Sequence, residues 1–204
     1  MTVSAVAALV VFVLAMVAAF GWRTVVQLRT TGDTGLRLDA GPIGSAGWWG
    51  KLLFIGALLL AAAAPVLAFT GAVRPLVWHP GLAMGGLIIA VAGIAVTLTA
   101  QWQMGASWRI GVDQEERTTL VTAGLFAHLR NPIFTGMLAV LAGLTGMVPS
   151  LIMLTALPSL LAAVQIQVRV VEEPYLLTTH GPAYRDYAQR AGRFLPAVGR
   201  LTSG

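Results

Sequence analysis

The sequence of 204 residues contains no cysteine, which excludes disulfides, thiolate metal sites and a cysteine nucleophile. Charge is scarce as well. Only 10% of the residues are charged against 57% hydrophobic, and a water-soluble globule of this length cannot cover itself with so little polar surface. Mean hydropathy is +0.80, and the chain reads as one integral membrane domain spanning 1–204. The three histidines, His79, His128 and His180, lack metal-ligand spacing, so no metal site is expected. A P-loop is missing, as are plausible strands and any Gly-rich dinucleotide fingerprint, which excludes a soluble Rossmann-type nucleotide site. The net charge of +5 arises from basic residues beside apolar spans, without interleaved exposed aromatics. A membrane surface, not nucleic acid, is the partner that this pattern fits.

What the sequence does have is long apolar runs. Val3 to Trp22 approaches the ~20 residues that a bilayer core requires. It lacks the basic n-region of a signal peptide, so it reads as a retained helix. Leu52 to Phe69, with Pro65 as an expected kink, and Leu82 to Ala100 follow. Pro132 to Met147 and Leu151 to Val168 come next, joined at Val148-Pro149-Ser150 by so short a connection that they must form an antiparallel hairpin. The expected fold is therefore all-α, a polytopic membrane bundle of about five transmembrane helices with a C-terminal helical hairpin. The Ala-rich run near Ala61 is ordinary for packed membrane helices.

Charge sets the expected orientation. Arg23, Arg29, Arg37, Lys51, Arg109, Arg117, Arg130, Arg169, Arg185, Arg190, Arg193 and Arg200 fall on one side of such a bundle, and Arg74 alone falls on the other. By the positive-inside rule the N-terminus lies outside and the C-terminal tail is cytoplasmic; the expected location is the plasma (inner) membrane. Polar material then gathers on the cytoplasmic face in three pieces, 23–51, 101–131 and 169–204. The first, with Trp48 and Trp49 at headgroup depth, carries no assignable catalytic role.

The other two pieces carry the candidate chemistry. In "AHLRNPIFTG" Asn131 is an expected N-cap, with Pro132 at the first helical position. Arg130 reads either as an interfacial anchor or, beside exposed helix amides, as part of a site for a carboxylate or phosphate. His128 faces cofactor, substrate or lipid headgroup. Further on, Glu172 and Glu173 are neighbouring carboxylates at a membrane boundary, whose burial requires a cation, a metal or a proton. Pro174 is expected to end regular hydrogen bonding there and to turn Glu173 inward. In "HGPAYRDYAQRAG", Gly181-Pro182 starts and Gly192 stops a short helix that sets Tyr184 and Tyr187 on one face. Those rings either pack at the membrane interface or cover a ligand.

Taken together, "GLFAHLRNPIFTG" followed by "EEPYLLTTHGPAYRDYAQRAGRFLP" resembles the isoprenylcysteine carboxyl methyltransferase family and its relatives among the phospholipid methyltransferases. Those proteins carry a Gly, an Arg-His-Pro-x-Tyr or Arg-Asn-Pro-x-Tyr element, then Glu-Glu, then Gly-x-x-Tyr-x-x-Tyr and Arg-Phe-x-Pro. Gly124, Arg130, Asn131, Pro132 and Phe134 match the first element, and Glu172 and Glu173 the second. Gly181, Tyr184, Tyr187, Arg193, Phe194 and Pro196 match the third. The stretch "MGASWRIGVD" is similar to what precedes the motif in the family, so the resemblance covers roughly 101–196. Asn131 stands where many members have His, and Phe134 where many have Tyr.

The resemblance implies S-adenosylmethionine in a cytosol-facing pocket formed by 101–196 and covered by the C-terminal segment. It also implies a lipophilic small-molecule or lipid acceptor arriving from the bilayer. Gly124, Arg130, Asn131, Pro132, Glu172, Glu173, Tyr184, Tyr187 and Arg193 are then the expected cofactor-binding residues. Trp108 and Phe134 line the transfer site, and Arg130, Glu173 and His128 are catalytic candidates, with His128 as the base if the acceptor must lose a proton. Two other readings compete. One is an NADPH-dependent membrane reductase of the sterol-reductase type, which needs more phosphate-binding cations and more spans. The other is a transporter or scaffold in which Arg130, Glu172 and Glu173 form a structural ion network.

Overall fold

The computed structural model describes residues 2–35, 41–108 and 119–202. Arg37, Arg109 and Arg117, which entered the expected orientation, lie outside these residues, as does the 109–113 part of the "MGASWRIGVD" stretch. Among the described residues the chain is helical without strands.

Four helices are long and apolar enough to cross a membrane: α1 (Thr2–Thr31), α2 (Ala46–Phe69), the segment Pro80–Ser107 and α5 (Leu151–His180). Within the third segment, α3 (Pro80–Met104) is followed by a 3-10 turn at Gly105–Ser107. The fifth apolar helix, α4 (Pro132–Met147), is shorter. Its 16 residues extend about 24 Å, against a hydrocarbon core of roughly 30 Å. A short α6 (Pro182–Arg190) completes the set. The bundle of about five membrane helices with a C-terminal hairpin is thus present, although its elements are longer than the apolar runs alone suggest.

The helix ends follow local chemistry. Ser45 Oγ accepts from Trp48 N at 3.2 Å, His79 Nδ1 from Gly81 N at 3.1 Å, and Ser150 Oγ from Met153 N at 3.3 Å, each satisfying an orphan donor of a first turn. Gly32, at φ +76°, closes α1 in the left-handed conformation that glycine adopts freely. Two helices contain wide π-type turns, Val17–Trp22 in α1 and Gln167–Glu172 in α5. The second corrects the expectation at Pro174: the helix does not stop there but runs on as Glu173–His180. A proline lacks an N–H and crowds the carbonyl four residues back, and the widened turn just before it relieves both conflicts. As a result α5 extends about 45 Å, well past a bilayer core, and Glu173, the first residue after the π-type turn, is buried.

Small residues let the helices approach closely. Ala8, Ala57, Ala61, Ala64 and Ala90 are fully buried, beside Leu144, Met153, Leu160 and Val164. Antiparallel α3 and α4 meet glycine on glycine, Gly86 facing Gly143 and Gly93 facing Gly136. Continuing that register by one turn sets Thr97 of α3 level with Pro132, the start of α4, with Gln101 one turn beyond it.

Candidate active site

A cavity of about 260 Å³ opens where the ends of these helices meet. Its wall is apolar where the membrane helices supply it: Ala19 and Phe20 from α1, Gly50 and Phe54 from α2, Met104 from α3, Met137 from α4 and Ala163 from α5. Phe20 and Phe54 meet edge to face with centroids 6.4 Å apart. The α4 start and the extensions beyond the membrane helices supply the polar lining, with Arg130, Asn131, Glu172, Glu173, His180, Tyr184 and Tyr187.

Arg130 and Glu173, 43 positions apart in sequence, converge here. Glu173 is 6% exposed and Arg130 7%. Glu173 Oε1 lies 3.0 Å from Arg130 Nη1, and it also accepts from Arg193 Nε at 2.7 Å while Oε2 accepts from Arg193 Nη2 at 3.0 Å. One buried carboxylate therefore bridges two guanidinium groups, a pairing without which its burial would be costly. The bond to Glu173 also raises the Arg193 pKa above its ordinary value. Arg130 Nη1 further donates to Tyr184 Oη at 3.4 Å and Nη2 to the Gly199 carbonyl at 2.5 Å. Its Nε is buried without a partner.

Backbone pairing locks the two motifs together. Gly192 N donates to His128 O at 3.0 Å, Arg130 N to Gly192 O at 2.7 Å and Asn131 N to Arg193 O at 3.2 Å. A side-chain carbon at Gly192 would overlap the Leu195 carbonyl, which explains the glycine. The Asn131 side chain departs from the expected cap. It donates to Arg193 O at 3.0 Å and no side chain caps α4. The first-turn amides of Ile133 and Phe134, both cavity-lining residues, are thus left for another acceptor.

The remaining candidates separate. Pro132, Glu172, Tyr184, Tyr187, Trp108 and Phe134 line the cavity with Arg130, Asn131 and Glu173. Glu172 also accepts from Gln167 Nε2 at 3.2 Å. Trp108 is held by the Arg23 guanidinium, 5.3 Å from its ring centroid; Arg23 also donates to the Gly105 carbonyl. Three candidates stand outside the wall. His128 is exposed and contributes its backbone. Gly124, at φ +62°, leaves room for the Gln103 amide, which accepts from Leu125 N at 2.9 Å. Arg193 holds Glu173 from behind.

The sequence reading missed His180, Gln101 and Lys51, all of which line the cavity. His180 was recoverable, because Glu173, Leu176 and His180 form the i, i+3, i+7 stripe of a single helix face. Gln101 carried the signal of a polar residue within a membrane helix.

Tyr184 and Tyr187 pack edge to face at 6.1 Å, and Tyr187 Oη donates to the Phe126 carbonyl at 2.8 Å. Burial pushes the Tyr184 hydroxyl up to about 12, with Arg130 pulling the other way. Burial, then Tyr184 itself, also raises Tyr187. An unfolded tyrosine ionises near pH ~10, so the folded state holds these protons longer than the unfolded one. Stability is full below that pH and falls as pH rises through the folded values. Unfolding of the detergent-purified protein followed from pH 8 to 12 is expected to show this loss, with a shallower slope in Tyr184→Phe. Equal slopes would contradict the burial of that hydroxyl.

Residues 81–183 match the phospholipid methyltransferase family. No curated protein matches the chain. Among solved structures, the eukaryotic intramembrane Ras methyltransferase, isoprenylcysteine carboxyl methyltransferase, is similar in fold with a TM-score of 0.60 and 20% sequence identity over 94% of this chain. The chain covers 66% of the length of that protein.

Proposed function

The chain belongs to the phospholipid methyltransferase family, and from that premise we propose that it transfers a methyl group from S-adenosylmethionine to a lipophilic acceptor within the membrane. The observation that carries this reading is the two-part cavity: a charged, tyrosine-lined end built on Arg130 and Glu173, continuous with an apolar end built by membrane helices.

The polar end fits a zwitterionic sulfonium. The buried, unpartnered Arg130 Nε and the uncapped start of α4 suit a carboxylate. Glu172, on the cavity wall, suits the ammonium better than Glu173, whose oxygens hold two arginines. Tyr184 and Tyr187 offer rings against an adenosine. When bound, S-adenosylmethionine supplies a methyl group on a positively charged sulfur. Trp108 and Phe134 flank the acceptor, and the apolar wall excludes water and aligns it, which is where most of the rate of an in-line displacement originates. If a base is needed, His180 or Glu172 is placed for it and His128 is not. In the proposed orientation the polar end faces the cytoplasm, with the N-terminus outside, as the Lys and Arg distribution favours.

The dinucleotide reading needs cations for phosphates, and the described cavity wall offers only Arg130 and Lys51 among Lys and Arg. Calorimetry on detergent-purified protein is expected to show binding of S-adenosylhomocysteine and none of NADPH. Binding of NADPH alone, or of neither, would overturn the proposal.

A further inference from the structure

Gln101 belongs to the few polar residues of α3 inside the bundle. It is 2% exposed and lines the cavity. Its amide orientation is set by a neighbour: Nε2 donates to the Ala19 carbonyl at 2.7 Å, within the π-type turn of α1. Flipping the amide would place oxygen against oxygen. Oε1 is therefore committed to the other side, where it is buried and has no partner.

A buried acceptor without a donor costs about 1–3 kcal/mol, and a protein rarely leaves one in a cavity wall without use. Gln101 shares the cavity lining with Asn131, Pro132, Ile133 and Phe134, the helix start that the proposed donor site uses. Of the polar residues that also line the cavity, none donates to Gln101 Oε1.

We propose that Gln101 Oε1 receives a hydrogen bond from the methyl acceptor, and that the acceptor is accordingly a lipophilic molecule bearing an O–H or N–H group and not a carboxylate. This rests on the methyltransferase reading above. An ionised carboxylate would bring negative charge against a fixed, desolvated amide oxygen, whereas a hydroxyl or amine satisfies it and points a lone pair away from Gln101. That lone pair forms the bond to the methyl carbon as the carbon–sulfur bond breaks, and the bonding pair stays on sulfur as a thioether. The proton on the acceptor leaves afterwards to His180, Glu172 or water, since an amide cannot take it. Gln101 is thus a specificity-determining residue and not a base. Discrimination on these grounds is strong, because a site built around a hydrogen bond rejects a ligand that leaves its buried polar group unpaired.

The test uses three probes of equal chain length, decanol, decylamine and decanoic acid, with labelled S-adenosylmethionine and the full chain in detergent. Methyl transfer to the alcohol or the amine, and not to the acid, is expected. Gln101→Met, which keeps the volume and loses the amide, is expected to raise KM for the favoured probe at least tenfold while S-adenosylhomocysteine affinity stays within twofold. Independently of turnover, the favoured probe is expected to raise the Tm of the S-adenosylhomocysteine-loaded wild type and not that of Gln101→Met. Preference for the acid, transfer to none of the three by a protein that binds S-adenosylhomocysteine, or an unchanged KM and Tm shift in the variant would overturn the role of Gln101. Absence of S-adenosylhomocysteine binding in the wild type would instead remove the methyltransferase reading itself.

Discussion

Glu173→Gln is expected to destabilise the protein by about 3–5 kcal/mol, while Arg130→Ala is expected to leave the fold standing and to weaken S-adenosylhomocysteine binding at least tenfold. The asymmetry follows from the pairing. Glu173 is the carboxylate that pairs with both Arg130 and Arg193; a neutral amide there leaves two guanidinium groups facing each other in a poorly solvated space, and its N–H donors oppose theirs. Removing Arg130 deletes one of these contacts but keeps both Arg193 bonds to Glu173, at 2.7 and 3.0 Å, so no buried charge is stranded. What Arg130→Ala does remove is the cation proposed to meet the donor's carboxylate. Thermal and denaturant unfolding in detergent, read beside calorimetry, separates the two effects. Wild-type affinity in Arg130→Ala would eliminate the proposed anion site, and wild-type stability in Glu173→Gln would show that the cluster is solvated.

How much of this could be read from the residues depended on whether the signal was local. The apolar runs located the helices because a bilayer imposes length and composition directly. Arg130, Glu173 and the paired tyrosines were recognisable as a group because several short elements recur in fixed order. The Asn131 cap was misread for a tertiary reason. A local rule pairs Asn with its own helix, but Arg193 O, 62 positions away, captures the amide. Pro174 was misread because a π-type turn, which has no sequence signature, absorbs it. His128 was the base candidate on paper and His180 was not, yet the passage of α5 beyond the membrane helices puts His180 on the cavity, while His128 is exposed. Phe20, Lys51 and Phe54 were beyond local inference altogether, since their place depends on how α1 and α2 pack.

The second large effect concerns the seam that holds the site in place. Gly143→Ala is expected to lower stability by more than the ~1–3 kcal/mol typical of an overpacked core, although the change is a single methyl group. At Gly143 that methyl would lie 2.6 Å from Ala90 N, and at Gly93 it would lie 2.6 Å from Gly136 O and 2.7 Å from Val140 N. The obstructing atoms are backbone, so no rotamer change relieves the overlap, and α3 and α4 must separate. In a lipid-exposed bundle close backbone approach through small residues is a main source of helix association, and the lost contacts are not replaced by hydrophobic burial. Gly85, one position from the seam, has no atom within 4 Å of the place its methyl would take, so Gly85→Ala is the matched control and is expected to leave the Tm unchanged. Gly136 connects the seam to chemistry: it abuts Thr97 and lies about one turn from Pro132, the helix start that follows Arg130 and Asn131. Gly136→Ala is therefore expected to weaken S-adenosylhomocysteine binding as well as stability, because α4 cannot move from α3 without carrying the anion-binding end of the cavity with it. Equal unfolding temperatures for Gly143→Ala and Gly85→Ala would show that the two helices do not touch in this register.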